Sequence, residues 1–397
     1  MTSDGLALDG LRVLDLTSHL SGPYCAMLLG DLGADVIKVE RPGLGDDSRS
    51  VSPKINGESA AFMTFNRNKR SLTLDLKAPE GGAIALKLAV RADVVLENFR
   101  PGTVARLGIG YDDVRPLNPR VIYCSISGFG QTGPYRDRGG FDRVAQGMSG
   151  VMSISGEEDG PPLPLPIPIS DIGTGMFATI GILAALAARA RTGQGQLVDA
   201  SLLETPIAWS VYEASSYFAT GRVPERLGPG HRASAPYQAF RTKDSWINIG
   251  GGSPAFWPRI CAMLGVPELV GDPRFQTPGD RVRHRKELEA LLAPRFAADT
   301  TAMWLDRFEA EGIPAGPILT YDEVFADPQV IHREMAVPVE HPTAGPTRVL
   351  GIPIKLSGTP ARVRRPAPTL GQHTDEVLAE LGYDATEIQR LHAGRVV

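Results

Sequence analysis

The stretch LRVLDLTSHLSGPYCAMLLGDLGADVIKVE, residues 11–40, decides the fold of this chain. It consists of an apolar run over 11–17, a helical pattern over 23–33 and a second apolar run over 34–40. Two buried strands joined through one helix form a βαβ unit, in which the strands lie parallel in the same sheet. The stretch therefore predicts an α/β fold with a parallel sheet.

The segments that follow repeat this alternation of strand and helix. Apolar runs predict further strands at 71–76, 93–99 and 120–130, and helical spacing covers 80–92. Strands that alternate with helices indicate a doubly wound, Rossmann-like domain. The loop after the first strand lacks the GxGxxG pattern, so a nicotinamide-dependent dehydrogenase is disfavoured.

Changes in sequence pattern divide the chain into a large and a small domain. Residues 1–200 are predicted to form the N-terminal part of the large domain, and 201–224 a linker. Residues 225–325 indicate a smaller α+β domain, and 326–397 a linker and a return to the large domain. The elements predicted after residue 225 are a hairpin, three helices, a strand and a helix, at 237–252, 254–264, 281–297, 300–311, 349–357 and 374–381.

The composition disfavours several classes of protein. Of 397 residues 42% are hydrophobic and 22% are charged, and the net charge is −4. These values are typical of a globular protein and give no electrostatic reason to expect a nucleic acid or an anionic membrane as partner. The most hydrophobic stretch, 176–188, is too short to cross a membrane, and no signal peptide is recognised. These features predict a cytoplasmic location.

The cysteines and histidines show no spacing that would suit a metal. Cys25, Cys124 and Cys261 are scattered and unpaired by spacing, which fits a reducing compartment. The seven histidines form no HxxxH group. The sequence therefore predicts neither a metal nor a permanently bound cofactor.

One carboxylate stands out in the segment PIPISDIGTG, residues 166–175. Two prolines favour an extended approach to Asp171, and helical spacing of apolar residues begins at Gly173. That helix is too apolar to sit on a surface, so Asp171 is expected at the start of a buried helix. Aspartate at such a place is typical of an N-cap. The alternative is a functional carboxylate, with Gly173 and Gly175 leaving room beside it.

The loops that follow the predicted strands closely resemble those of class III coenzyme A (CoA) transferases, a family that includes formyl-CoA and succinyl-CoA transferases and α-methylacyl-CoA racemase. The resemblance covers essentially the whole chain. It implies a large Rossmann-like domain built from both termini, a small domain between them and an interlocked homodimer. The matching loops, in chain order, are LDLTSHLSGP (14–23), VIKVERPG (36–43), TLDLK (73–77), ENFRPG (97–102), SGFGQTGPY (127–135), FDRVAQGMSG (141–150), SDIGTG (170–175) and GQGQLVDASLLE (193–204).

The resemblance also implies roles for individual residues. The catalytic aspartate of the family falls on Asp171. The cations among the matching CoA contacts would bind the phosphates of CoA, which is a substrate in this family. The implied CoA-binding residues are His19, Leu20, Ser21, Arg41, Leu74, Asp75, Lys77, Asn98, Phe99, Arg100, Arg106 and Phe141.

Three positions refine the expected chemistry. Leu20 stands where formyl-CoA transferase has a glutamine, so formyl or oxalyl transfer becomes less expected. Phe141 stands where the racemase branch has the histidine of a GHD motif, and phenylalanine cannot abstract an α-proton. Asp142 matches a second carboxylate of the transferase branch, with a catalytic or an orienting role. The resemblance further implies that Gly250, Gly251 and Gly252 form a mobile loop over the active site.

The predicted function is transfer of CoA from an acyl-CoA donor to a carboxylic acid. Asp171 would form an aspartyl anhydride and then an aspartyl-CoA thioester. Succinyl-CoA is a candidate donor, with Arg49, His231 or Arg232 as candidate partners for a dicarboxylate. Two alternatives remain open: a racemase or isomerase that moves an α-proton with Asp171 and Asp142, and a non-catalytic CoA-binding protein.

Overall fold

The computed structural model describes residues 5–397, which form two compact units. The first unit contains the described chain up to Val151 together with Pro164–Ala214 and Pro328–Val397. The second contains Met152–Leu163 and Ser215–Asp327. The longer segment of the second unit therefore begins ten residues before the small domain expected from the sequence, and its shorter segment lies within the range expected for the large domain. Helices occupy much of the expected linker over 201–224.

A parallel sheet of six strands is the centre of the first unit, as the βαβ pattern predicts. Its order is β5-β2-β1-β6-β7-β8, and every neighbouring pair is parallel. The short strands β3 and β4 pair with each other outside this sheet. The strands are β1 (Arg12–Asp15), β2 (Asp35–Glu40), β3 (Lys54–Ile55), β4 (Glu58–Ser59), β5 (Lys69–Thr73), β6 (Val94–Glu97), β7 (Ile122–Ser127) and β8 (Gln196–Ser201).

Helices cover both faces of this sheet. Adjacent residues of β1 point to opposite faces: Leu14 packs in a core with Leu88, while Val13 packs in another core with Leu29 and Ile182. Burial on both faces explains the nearly continuous apolar runs of these strands. The helices up to residue 220 are α1 (Ser21–Asp31), α2 (Ala60–Phe65), α3 (Pro79–Arg91), α4 (Thr103–Arg106), α5 (Tyr111–Val114), α6 (Asp142–Met148), α7 (Val151–Ile154), α8 (Ile169–Thr192), α9 (Glu204–Trp209) and α10 (Val211–Thr220).

The second unit has its own antiparallel sheet and its own core. Its strands are ordered β11-β10-β9, and the predicted hairpin forms β9 and β10. The rings of Phe240 and Phe308 both stack on Phe296 in the core. Its elements are β9 (Tyr237–Arg241), β10 (Trp246–Gly250), α11 (Trp257–Met263), α12 (Pro278–Arg283), α13 (Arg285–Phe296), α14 (Thr301–Ala310), β11 (Ala315–Pro317) and α15 (Tyr321–Ala326).

The C-terminal segment belongs to the first unit. Its last two helices contribute Val377 and Leu391 to the core on one face of the parallel sheet. A strand predicted over 349–357 is wrong beyond Leu350, where the second strand of a hairpin ends. The elements are α16 (Pro328–His332), β12 (Ala336–His341), β13 (Gly345–Leu350), α17 (Thr374–Glu380) and α18 (Ala385–Ala393).

Helix α8 differs from its prediction in length and exposure. It begins at Ile169 rather than Gly173 and has 24 residues, so by length and composition alone it could cross a membrane. It instead packs on α1, where a Cβ at Gly175 would lie 2.6 Å from the carbonyl oxygen of Ser21. One side of α8 is nevertheless exposed, with Ile180 at 58%, so the expectation of a fully buried helix is wrong for the described chain.

Candidate active site

The candidate site lies at the carboxyl edge of the parallel sheet, where the strand order reverses between β1 and β6. The loops after these two strands meet there. The side-chain amide of Asn98 donates to the carbonyl oxygen of Ser18 at 2.7 Å and accepts from its amide at 2.9 Å. A doubly wound sheet binds its ligands at this point, because the loops on either side diverge and leave a crevice.

A cavity of about 220 Å³ opens in this crevice and contains much of the predicted site. The volume suits the reactive end of a ligand but is small for a whole CoA molecule. Leu20, Arg41, Leu74, Asp75, Lys77, Arg106 and Asp142 do not line it. The predicted residues that line it are His19, Ser21, Asn98, Phe99, Arg100, Phe141 and Asp171.

Of the predicted residues outside the cavity, Arg106 lies in α4 and Asp142 in α6, and the others lie in loops after β1, β2 and β5. Arg41 follows β2 and its guanidinium pairs with Asp47, while Leu74 follows β5 and is buried in the core. The amide of Asp75 donates to the carbonyl oxygen of Val396 at 2.8 Å, which fixes the segment before Lys77. These loops therefore extend away from the cavity across the ends of β2 and β5.

Arg138 is a cavity residue that the sequence reasoning missed. Its guanidinium lies 3.9 Å from the ring centroid of Tyr135, and Arg100 also lines the cavity. Two cations therefore face the space that contains Asp171. The one signal for this role in the sequence is that Arg138 lies four residues before Asp142.

Glycines shape one wall of the cavity. A Cβ placed on Gly128 would lie 2.7 Å from the Cα of Gly140, so the two loops touch through their backbones. The glycines beside Asp171 serve packing in the same way. A Cβ on Gly173 would clash with the ring of Trp209, so the expectation that this glycine leaves room for a ligand is wrong.

Asp171 is the third residue of α8 and does not cap it. The N-cap position is Pro168, which supplies no side-chain acceptor, and the amide of Ile172 donates to its carbonyl oxygen at 3.0 Å. The N-cap prediction is therefore wrong, because the helix begins two residues before the aspartate. The carboxylate lines the cavity instead.

Asp142 supplies the missing cap from another helix. Its Oδ1 accepts a 2.9 Å hydrogen bond from the amide of Ser170, in the first turn of α8. Its Oδ2 accepts from Nε2 of Gln146 at 2.7 Å, and Oε1 of Gln146 accepts from the amide of Leu165 at 2.9 Å. The buried side chain of Gln146 thus fixes Asp142, which holds the turn that carries Asp171. The i, i+4 spacing of Asp142 and Gln146 on α6 was a signal for this pair.

This arrangement disfavours a negative charge on Asp171. Burial, and then the charge of Asp142, raise the pKa of Asp171 to about 7. Burial is the larger cause, and Asp142, whose Oδ1 accepts from the amide of Ser170, adds its negative charge nearby.

The predicted mobile loop is closely packed within the second unit. The amide of Gly250 donates to the carbonyl oxygen of Pro314 at 2.7 Å, and a Cβ on Gly252 would lie 2.6 Å from Oγ of Ser234. A Cβ on Gly251 would meet the carbonyl oxygen of Pro236. Close packing therefore explains the three glycines, and the mobility of the loop stays a prediction.

Arg49 does not serve the cavity. Its guanidinium donates two 2.7 Å hydrogen bonds to the buried carboxylate of Glu40 and lies 3.7 Å from the ring centroid of Phe62. It is therefore not available for a substrate carboxylate. Among residues 5–397, no group of three or more histidine, cysteine or acidic side chains is placed to hold a metal ion.

Comparison with known proteins decides the family. Residues 8–374 match the family model described as CoA-transferase family III. The chain is a member of CoA-transferase family III. The resemblance inferred from the loops and the predicted CoA-transferase activity are both confirmed.

Similar proteins carry related names. This CoA-transferase is 44% identical to succinyl-CoA:glutarate CoA-transferase from Mus musculus, over 98% of this chain and 90% of the mouse protein. It is 40% identical to succinyl-CoA–D-citramalate CoA-transferase from Chloroflexus aurantiacus, over 98% of each chain. The crystal structure of a CAIB/BAIF family protein from Brucella suis has 39% identity and a TM-score of 0.84, over 95% of this chain and all of that one.

Proposed function

We propose that this CoA-transferase moves CoA from succinyl-CoA to a second dicarboxylic acid through covalent intermediates on Asp171. The observation that carries the proposal is the placement of Asp171: it lines the cavity at the switch point of the sheet, with its pKa raised to about 7. A carboxyl group with this pKa is both ionised in part at neutral pH and more basic than an ordinary aspartate. Both properties suit a nucleophile.

The cycle balances without a metal or ATP. An Oδ of Asp171 attacks the thioester carbon, the C–S bond breaks, and an anhydride and the CoA thiolate result. The thiolate attacks Cγ of Asp171 and releases the donor acid, which leaves aspartyl-CoA. The acceptor carboxylate attacks Cγ and expels the thiolate, which then attacks the acceptor carbonyl. The products are the acceptor CoA ester and the free Asp171 carboxylate.

The surroundings of Asp171 favour the covalent states. Burial and the neighbouring Asp142 penalise the ionised carboxylate, but an anhydride or a thioester on Asp171 carries no charge at that group. Acylation therefore removes the unfavourable charge. The features that raise the pKa of the free group also lower the free energy of the acylated enzyme relative to the free one.

The loops at the carboxyl edge support a binding mode for CoA. Its thioester would enter the cavity beside His19, Phe99 and Phe141, and Arg100 would face its polar groups. The phosphates and the adenine would extend over the loops after β2 and β5, where the exposed side chains of Arg41 and Lys77 supply positive charge. In this binding mode the cavity needs to hold only the reacting thioester end of acyl-CoA.

Two relatives support the choice of succinyl-CoA as donor, because both printed names contain it while the acceptors differ. Glutarate is the acceptor to test first, since the mouse relative is named for it. We infer the donor from these names and the dicarboxylate class from their common chemistry.

Oxygen transfer tests the covalent mechanism. With succinyl-CoA and ¹⁸O-labelled glutarate, we expect glutaryl-CoA to form, and ¹⁸O to appear first in the peptide that contains Asp171 and then in succinate. Direct attack of glutarate on succinyl-CoA would label succinate without labelling the peptide. Label in another peptide would show that Asp171 is not the nucleophile. Deuterium entry at the α-carbon without any acceptor would favour the racemase alternative.

We also propose that the enzyme is a homodimer in which the partner subunit covers the exposed side of α8. Apolar side chains lie exposed there and on the next two helices: Met176, Phe177, Ile180, Ile207, Trp209 and Val211. Apolar surface of this kind marks an interface with another protein. The family resemblance supports a second copy of this chain as the partner.

Charge placed on this surface should break the dimer. We expect Ile180→Glu to be monomeric at micromolar concentration in sedimentation velocity, while wild type sediments as a dimer. Leu117→Glu is the matched control, because Leu117 is equally exposed at 57% but lies outside these helices. A monomeric wild type, or a dimeric Ile180→Glu protein, would contradict the proposal.

A further inference from the structure

Four buried charged side chains lie beneath the loop that follows β1. They are Asp15, Lys38, Asp46 and Lys69, each at most 4% exposed. None of them lines the cavity, and the mechanism above uses none of them. Charged groups are costly to bury unless they are paired and fully hydrogen-bonded, so the partners of these four show what they do.

Lys38 holds the backbone of this loop at its centre. Its ammonium donates to the carbonyl oxygen of Thr17 at 2.8 Å and pairs with Oδ2 of Asp46 at 2.7 Å. The other oxygen of Asp46, Oδ1, accepts from the amides of His19 at 3.2 Å and of Ser48 at 2.8 Å. Lys38 therefore fixes the loop on both sides of Ser18, directly at Thr17 and through Asp46 at His19.

The loop needs such support because its conformation is strained. His19 has φ of +67°, in the left-handed region that side chains other than glycine rarely adopt. A strained backbone persists only where the surrounding structure fixes it. Asn98 bonds both backbone groups of Ser18, and Asp46 bonds the amide of His19.

Lys69 anchors the two elements that this loop joins, β1 and α1. Its ammonium donates to Oδ2 of Asp15 at 2.9 Å, to the carbonyl oxygen of Pro23 at 2.9 Å and to Oδ1 of Asn66 at 2.8 Å. Although burial alone would raise it, the Lys38 ammonium lowers the pKa of Asp46 to about 2. The Lys38–Asp46 pair therefore stays ionised at neutral pH.

We propose that Lys38 is a positioning residue, whose buried ammonium holds the loop from Thr17 to Ser21 in the conformation that presents His19 and Ser21 to acyl-CoA. The inference rests on the proposed contact of these two residues with CoA. Replacing a buried ion pair by apolar groups often leaves stability unchanged. The Lys38–Asp46 pair therefore contributes the geometry of the loop rather than stability.

Substitution of Lys38 tests this role through substrate affinity. We expect Lys38→Met to raise KM for succinyl-CoA and Kd for free CoA by about tenfold or more, because a displaced loop loses its contacts. Labelling of Asp171 at saturating succinyl-CoA should stay within about threefold of wild type, since α8 is held separately by Asp142. A purely structural residue would not split KM from kcat in this way.

Arg67→Met is the matched control. Arg67 is also buried, at 2% exposure, and pairs with Asp31 at 2.7 Å, but the loop is not among its contacts. We expect it to leave KM and Kd unchanged. If Lys38→Met does not fold, the double variant Lys38→Met/Asp46→Asn removes both charges, keeps an acceptor for the amide of His19 and should show the same rise.

The outcomes separate this inference from the proposed contact. A folded Lys38 variant with wild-type Kd for CoA overturns the inference if His19→Ala weakens CoA binding. Equal increases in the Lys38 and Arg67 variants also overturn it. If neither His19→Ala nor Ser21→Ala changes Kd, the proposed contact fails and the inference with it. Absence of label on Asp171 in wild type would instead overturn only the covalent mechanism.

Discussion

Replacing Asp171 by alanine is expected to reduce the rate of CoA transfer by about 10⁴-fold or more, because the covalent intermediates cannot form. Asp171→Asn should lose activity to a similar degree, since the amide keeps the shape but is not a nucleophile toward a thioester. Turnover of succinyl-CoA with glutarate, followed as glutaryl-CoA by mass spectrometry, is the measurement. Asp137→Asn, at an exposed carboxylate of the same unit, should remain fully active. Activity within about tenfold of wild type in Asp171→Ala would refute the nucleophile.

Asp171→Asn should also make the fold more stable than that of wild type at high pH. The pKa of Asp171 is raised from 3.8 to about 7 in the folded chain, so the unfolded chain releases the proton first as pH rises. Wild type therefore loses stability relative to Asp171→Asn between pH 4 and 7, and the difference is complete above pH 7. Three pKa units correspond to about 4 kcal/mol, which partial exposure reduces to about 2 kcal/mol. Urea unfolding at pH 5 and pH 8 would show it, and equal stability differences at the two pH values would contradict it.

Removing Asp142 is expected to have the second largest effect. Asp142→Ala leaves the amide of Ser170 without its acceptor and frees the first turn of α8, so we expect turnover to fall by about 100-fold. The fold should persist, because α8 remains packed on α1 and β8. Circular dichroism and turnover measured on the same preparation separate the two effects.

Asp142→Asn separates the charge from the cap. An asparagine oxygen can still accept from Ser170, but the negative charge near Asp171 is lost. Since the ionised Asp171 is the reactive form, kcat/KM of wild type should rise with pH through about 7 and level off above it. In Asp142→Asn the rise should move to lower pH, while burial still keeps it above pH 4. A pH profile that does not move would show that Asp142 acts through the cap alone.

The parallel sheet and its alternating helices follow from local patterns, which is why the sequence predicts them. Strands such as β7 carry apolar side chains on both faces because helices cover both, and β2 occupies nearly the predicted range of 34–40. The start of α8 was missed because Pro168 can serve as an N-cap without a side-chain acceptor. Local sequence then favours the aspartate as cap, although the cap comes from Asp142, 28 residues before Ser170.

Two features of the site depend on contacts between distant residues. The pKa of Asp171 is raised by burial and then by the charge of Asp142, and the conformation of His19 depends on Asp46, 27 residues later in the chain. In the sequence ADVIKVE, nothing distinguishes Lys38 from an ordinary solvent-exposed lysine, and only the fold shows that it is fully buried. A family resemblance can assign Asp171 and His19 to the site. The protonation of Asp171 and the backbone strain of His19 depend on neighbours that only the fold brings together.

Phe141 and Asp142 are adjacent in the chain but differ in environment and in structural role. The backbone of Phe141 is extended, with φ of −137° and ψ of 160°, and its side chain is 64% exposed toward the cavity. Asp142, the next residue, is buried and anchored to α6 and α8. Position 141 thus carries an exposed side chain on a backbone segment that the hydrogen bonds of Asp142 hold in place. We expect substitutions at this position to change the lining of the cavity and to leave the hydrogen bonds of Asp142 intact.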